Sequence, residues 1–140
     1  ELSRRIARTN RGYQLQMNNP KTIADYFMED MRHHRVEVFK GAFFDAKCNF
    51  IGSETVAKGS LSFAYVSPAE LFRKALLKNA VMIVILHNHP SGDPTPSRED
   101  LELTQQIARG AQLLGITLAD HIVIGDNRYY SFRENHRLET

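Results

Sequence analysis

The segment Val81-Met82-Ile83-Val84-Ile85-Leu86 is six apolar residues without alternation, the pattern of a strand buried on both faces. It predicts the central strand of a sheet. Upstream, Asn19-Pro20 precedes Ile23, Tyr26, Phe27 and Met31 at helical spacing, which predicts a helix over about residues 20 to 32. From Arg35 to Ala57 β-branched and aromatic residues dominate except at Asp45-Ala46-Lys47-Cys48-Asn49, as in two antiparallel strands joined by a turn. Gly59 marks a loop, and Leu61 to Val66 reads as a further short strand.

Ser67-Pro68-Ala69-Glu70 has a capping serine, a proline in the first turn and a glutamate placed to return a hydrogen bond to the serine amide. A helix from Pro68 to about Asn79 follows. After the central strand, Ser97 caps a second such helix, whose apolar positions Leu101, Leu103, Ile107 and Ala111 run to a stop at Gly115. Ile116 to Ile124, a Gly-Asp-Asn turn and Tyr129 to Phe132 predict a terminal pair of strands. The fold class is α/β, with a mixed sheet between helices.

At 140 residues, with 42% hydrophobic and 24% charged residues, the chain suits one globular domain. A net charge of +2 does not single out a nucleic-acid partner, although Arg4, Arg5, Arg8 and Arg11 make the start locally basic. The single cysteine, Cys48, excludes an intrachain disulfide and a thiolate-rich metal site, and reads as a small buried residue. No apolar run approaches the roughly 20 residues of a membrane span, and no signal-peptide pattern precedes the first charges. A cytoplasmic protein is expected. Because the chain begins at Glu1, a longer parent protein is expected too.

The chemistry gathers after the central strand. His87 and His89 sit at i and i+2, so at a strand end they project from one face and can converge on an ion. Zinc takes histidine nitrogen and carboxylate oxygen, and a catalytic site supplies three protein ligands and leaves a fourth position to water. Asp100 qualifies as the third ligand, since the Ser97 cap fixes it in the first helical turn, where the helix dipole favours its charge. Pro90, Pro94 and Pro96 stiffen the intervening loop and Gly92 permits a tight reversal.

A zinc hydrolase also needs a carboxylate to carry the proton from water to the leaving group. Glu37 is the candidate, being a glutamate set between Val36 and Val38, with Glu54 and Glu70 in reserve. Ser97 has two possible jobs, as a cap and as a hydroxyl donor to a developing oxyanion. His121 beside Asp120 is read as a hydrogen-bonded structural histidine or as part of a pair behind the ligands, while His33, His34 and His136 face solvent.

The spacing His-x-His-x7-Ser-x2-Asp, filled by His87, His89, Ser97 and Asp100, is similar to the signature of the JAMM (MPN) metalloprotease superfamily. The fuller string His-Asn-His-Pro-Ser-Gly-Asp-Pro-Thr-Pro-Ser, with Asp120-His121-Ile122-Val123-Ile124-Gly125 and Tyr130-Ser131-Phe132, resembles the bacterial RadC family from Glu37 to Leu138. The resemblance implies a JAMM/MPN (cytidine-deaminase-like) architecture over residues 20–140, one zinc on His87, His89 and Asp100, and Glu37 as general acid and base. Many JAMM peptidases have serine or threonine between the histidines. Asn88 stands there in this chain, as in RadC proteins.

Residues 1–19 resemble the linker that follows a helix-hairpin-helix module in that family. Nucleic acid could be contacted through such a module, and the family name is tied to DNA repair. Two functions are therefore carried forward: a metallopeptidase or isopeptidase acting on a protein or peptide, and a non-catalytic or DNA-associated zinc-binding module. The letters His-Asn-His are not an HNH nuclease, whose residues spread over a longer unit. A zinc deaminase would need a Pro-Cys-x-x-Cys segment.

Overall fold

A computed structural model describes residues 19–59 and 66–138. Among these residues three helices, α1 (Pro20–Met31), α2 (Pro68–Leu77) and α3 (Arg98–Leu113), flank strands β1 (Glu37–Phe44), β2 (Phe50–Gly59), β3 (Met82–Asn88), β4 (Thr117–Ile124) and β5 (Tyr129–Ser131). The expected α/β class and mixed sheet are found. The strands lie in the order β2-β1-β3-β4-β5, with β3 central and parallel to β4 and the other pairs antiparallel.

The unalternating run of β3 has the predicted cause. Met82, Val84 and Leu86 pack on the side of Ile23, Phe27 and Met31 of α1, whereas Ile83 and Ile85 pack with Leu71 of α2 and Ile107 of α3. Each fully buried branched side chain contributes about 1.5 to 3 kcal/mol, and this strand supplies them to both layers. Gly41 in β1 lets α2 come close, since a Cβ there would meet Leu71 Cδ1 at 2.7 Å.

Some boundaries move. Helix α2 ends at Leu77 rather than Asn79, and β3 begins one residue late but extends through His87 and Asn88. Ser67 caps α2 through the Glu70 amide, yet the Glu70 carboxylate turns to Arg73 instead of returning to the serine. Cys48 is half-buried with φ 66° in the turn after β1, so it is not the buried filler expected. The strand expected at 61–66 falls, but for Val66, outside the described residues, as do the basic N-terminal run and the linker resemblance before Asn19. No helix among the described residues is long and apolar enough to cross a membrane.

Candidate metal centre

The connection β3–α3–β4 is a parallel crossover, which leaves the loop after β3 at the carboxyl end of the sheet, where open α/β sheets bind ligands. His87 closes β3 on the face covered by α2 and α3, and His89 lies two residues beyond. Helix α3 then starts against them. Ser97 accepts from the Asp100 amide at 3.1 Å, and the Asp100 carboxylate accepts from the Ser97 amide at 2.8 Å, a reciprocal capping box.

That box aims the remaining capacity of Asp100 at the histidines. His87 Nε2 and His89 Nε2 are 3.0 Å apart, and the Asp100 oxygens lie 3.2 Å from the first and 3.1 Å from the second. Ligands at 2.0–2.1 Å around a tetrahedral zinc stand roughly 3.3–3.4 Å from one another. The two nitrogens, each facing a different oxygen of the one carboxylate, thus lie close to the spacing such an ion needs. Glu37, His87 and His89 form a wider overlapping set, with donor atoms within 4.8 Å. The Asp100 set is the closer match to a tetrahedral edge, which leaves Glu37 standing just outside it.

Electrostatics agree with the geometry. Burial by itself would raise the Asp100 carboxyl, but the His87 and His89 imidazoles against it, and the hydrogen bond from the Ser97 amide, hold it far below the usual carboxylate range. The Asp100 hydrogen bond raises His89 above its ordinary value, against the effect of burial. A cation between these groups would serve the same charge pattern that a proton serves without it. His89 Nδ1 faces the Asp93 carbonyl at 2.9 Å; a carbonyl only accepts, so Nδ1 carries a hydrogen, and Nε2 is the nitrogen turned to Asp100 and available to an ion once its own proton leaves.

The loop is fastened to the turn between β4 and β5. His89 donates its amide to Ile124, the Asp126 amide donates to the Gly92 carbonyl at 2.9 Å, and Arg128 donates to the same carbonyl at 3.0 Å. A Cβ on Gly125 would meet Gly92 O at 2.4 Å and Pro94 Cδ at 2.8 Å, so only glycine admits this contact. Gly92 itself has φ +91°, the reversal its position suggested.

Glu37 arrives from the other direction. Antiparallel pairing sets Phe39 opposite His87, and Glu37, two residues earlier, projects from that same face. Asn88 fixes the approach: its side chain, 1% exposed, accepts from the Val38 amide at 2.6 Å and donates to the Val36 carbonyl at 3.0 Å. The carboxamide therefore replaces a missing rung of the β1–β3 ladder and grips both residues flanking Glu37. No hydrogen-bond or ion-pair partner of the Glu37 carboxylate lies among the described residues. Glu54 is engaged with Lys74 and Lys78, and Glu70 with Arg73, so neither reserve reaches the histidines.

Behind His87 stands a group whose reach the sequence leaves undecided. His121 Nε2 lies 2.8 Å from His87 Nδ1, and its Nδ1 lies 2.5 Å from Thr104 Oγ1 of α3. Burial holds the His121 imidazole well below its ordinary pKa. Asp120 is not its partner: the Asp120 carboxylate accepts from Ser131 Oγ and the Arg133 amide, taking only a backbone contact from His121. Burial raises Asp120, and those hydrogen bonds oppose the shift. Thr104 carries no local signal at all. His33 and His136 are exposed and His34 is half-buried.

A family model described as "RadC-like JAB domain" matches residues 17–138. A UPF0758 protein of Desulfitobacterium hafniense (strain DSM 10664 / DCB-2) is 42% identical over 134 residues, which cover 96% of this chain and 59% of that protein. UPF0758 proteins of Geobacillus sp. (strain WCH70) and of Caldanaerobacter subterraneus are 41% and 40% identical, each over 96% of this chain and over 59% and 58% of their own lengths. The chain spans a little under three-fifths of the length of these relatives.

Proposed function

The chain belongs to the family of RadC-like JAB domains, and from that premise we propose a zinc-dependent hydrolase that cleaves an amide or isopeptide bond in a protein or peptide. The observation that supports it is the convergence of His87, His89 and Asp100 to distances of 3.0–3.2 Å, with a Glu37 carboxylate beside them that has no partner among the described residues. Two imidazoles and one carboxylate would hold the ion. Bound there, zinc supplies a water acidified to a pKa of about 7 and a Lewis acid for the substrate carbonyl.

The chain's own residues supply the rest. Glu37 takes the proton from the attacking water and delivers it to the leaving nitrogen, a transfer worth roughly 10²- to 10⁴-fold. Asn88 keeps that carboxylate at the edge of the ligand set by holding Val36 and Val38. Ser97 is exposed, and its Oγ accepts the Asp100 amide, so its own hydrogen is free to donate to the oxygen of a tetrahedral intermediate.

The test pairs metal with turnover. Purified protein should take up about one zinc per chain, and a peptide and isopeptide library should be cleaved by wild type but not by Glu37→Gln, whose zinc content stays unchanged. Absence of zinc uptake would remove the metal reading altogether. Zinc uptake without turnover across the library would leave the rival, a non-catalytic module associated with DNA in the longer relatives, and salt-sensitive DNA binding would then be its own measurement.

A further inference from the structure

We infer that Thr104 and His121 are positioning residues that fix which nitrogen of His87 keeps its hydrogen, and so present the Nε2 lone pair to the ion. The inference rests on the zinc reading for its purpose but on hydrogen-bond accounting for its substance. His89 is set by the Asp93 carbonyl, which can only accept. His87 is backed instead by another imidazole, and two imidazole nitrogens facing each other leave open which one donates.

Thr104 resolves that ambiguity. Its hydroxyl donates to the backbone carbonyl of Asp100, one turn earlier in α3, at 2.6 Å, and it has only that one hydrogen to give. Having donated, the oxygen can only accept from His121 Nδ1 at 2.5 Å. His121 is fully buried, stacked on Phe132 with ring centroids 4.5 Å apart and edged by Phe39, a setting that favours the neutral ring with one hydrogen. Its Nε2 is therefore an acceptor and His87 Nδ1 donates to it at 2.8 Å, which leaves His87 Nε2, 3.2 Å from the Asp100 carboxylate, as the nitrogen that would meet the ion.

The circuit starts at the Asp100 carbonyl and returns to the Asp100 carboxylate 3.2 Å from His87 Nε2. One residue thus anchors both ends, so displacement of α3 would disturb the ligand and its backing together. A slip in strand register makes the circuit possible. Between the pairs Ile83–Leu118 and Val84–Asp120, β4 carries one extra residue, Ala119, which turns His121 toward the face of His87.

Zinc affinity by chelator competition, on Thr104→Val and Thr104→Ser, tests the inference together with nitrogen-15 NMR of the His87 ring in metal-free protein. Thr104→Val keeps the side-chain shape, removes the hydroxyl and should weaken zinc by roughly 10- to 100-fold, while Thr104→Ser restores it. At about pH 8, above the ordinary histidine value of about 6.5, wild-type His87 should carry its hydrogen on Nδ1, and Thr104→Val should show both tautomers. A wild-type His87 protonated on Nε2, or a Thr104→Val protein with wild-type zinc affinity and a single tautomer, would overturn the inference. If wild type fails to bind zinc, the hydrolase reading falls, and the metal-free tautomer alone still decides the relay. Melting curves of both variants separate the effect from loss of fold.

Discussion

Helices α2 and α3 open with nearly the same local text, Ser-Pro-Ala-Glu at Ser67–Glu70 and Ser-Arg-Glu-Asp at Ser97–Asp100, and in both the serine hydroxyl caps the third amide. They differ in where the acidic side chain goes. Glu70 pairs with Arg73 one turn along the exposed surface, whereas Asp100 folds back on Ser97 and spends its other oxygen capacity on two histidines. The shorter side chain and the end of β3 opposite it account for the difference. A cap is a property of the helix; a candidate metal site is a property of what the helix start is packed against.

Removing the acidic group separates the two most sharply. Asp100→Ala should reduce zinc affinity by more than the roughly 100-fold that loss of an outer hydrogen-bond partner produces, measured by chelator competition. Glu70→Ala should leave it unchanged. Equal affinity in both variants would make Asp100 another surface cap and nothing more.

Exchanging the lengths is gentler. Asp100→Glu extends the carboxylate by one methylene, about 1.5 Å, past the point where the two imidazoles meet, and should lose roughly 10- to 100-fold in zinc affinity. Glu70→Asp should be silent in the same assay. Retained affinity in Asp100→Glu would mean that the loop adjusts rather than holds, contrary to the Gly92–Gly125 contact.

Removing the caps should cost both helices alike. Ser67→Ala and Ser97→Ala each lose a side-chain acceptor, worth about 1 kcal/mol in chemical denaturation. Only Ser97→Ala should also weaken zinc, because its hydroxyl sets the first turn that carries Asp100. Parallel zinc titrations give the answer.

The smallest effect is in pH. The Asp100 hydrogen bond raises His89, so that pair stabilises metal-free protein fully below about 6.5 and loses its contribution as pH rises through the raised value. Zinc needs the bare nitrogen, and its stabilisation, about 2.7 kcal/mol at 100 times Kd, should grow over the same interval. The thermal shift produced by zinc should therefore be larger at about pH 8 than at about pH 6. No such trend is expected from the Glu70–Arg73 pair, since neither group titrates there.

Much of this architecture was legible because short-range physics wrote it. The apolar run of β3, the serine caps and the proline-rich loop each follow from neighbours within a few residues, and together they bring His87, His89 and Asp100 close. Glu37 was visible only as a glutamate among valines, and its placement needed the β1–β3 register that Asn88 completes. Thr104 and the direction of His121 were out of reach. Alternation through β4 would turn residue 121 to the other face, and the extra residue at Ala119 leaves no mark in the letters. The Glu70 return bond failed for a local reason instead: Arg73, three residues on in the same helix, takes that carboxylate.

The spread of these residues along the chain also sets an order of assembly. His89 and Asp100 are 11 positions apart, His87 and His121 34, and the Asn88 clamp on Val38 spans 50. Loop-closure entropy favours the shortest segment first, and long-range strand pairing comes late. A refolding chain can therefore gather His87, His89 and Asp100 before β1 brings in Glu37, so that on the proposed reading an ion would be taken up before the chain could cut.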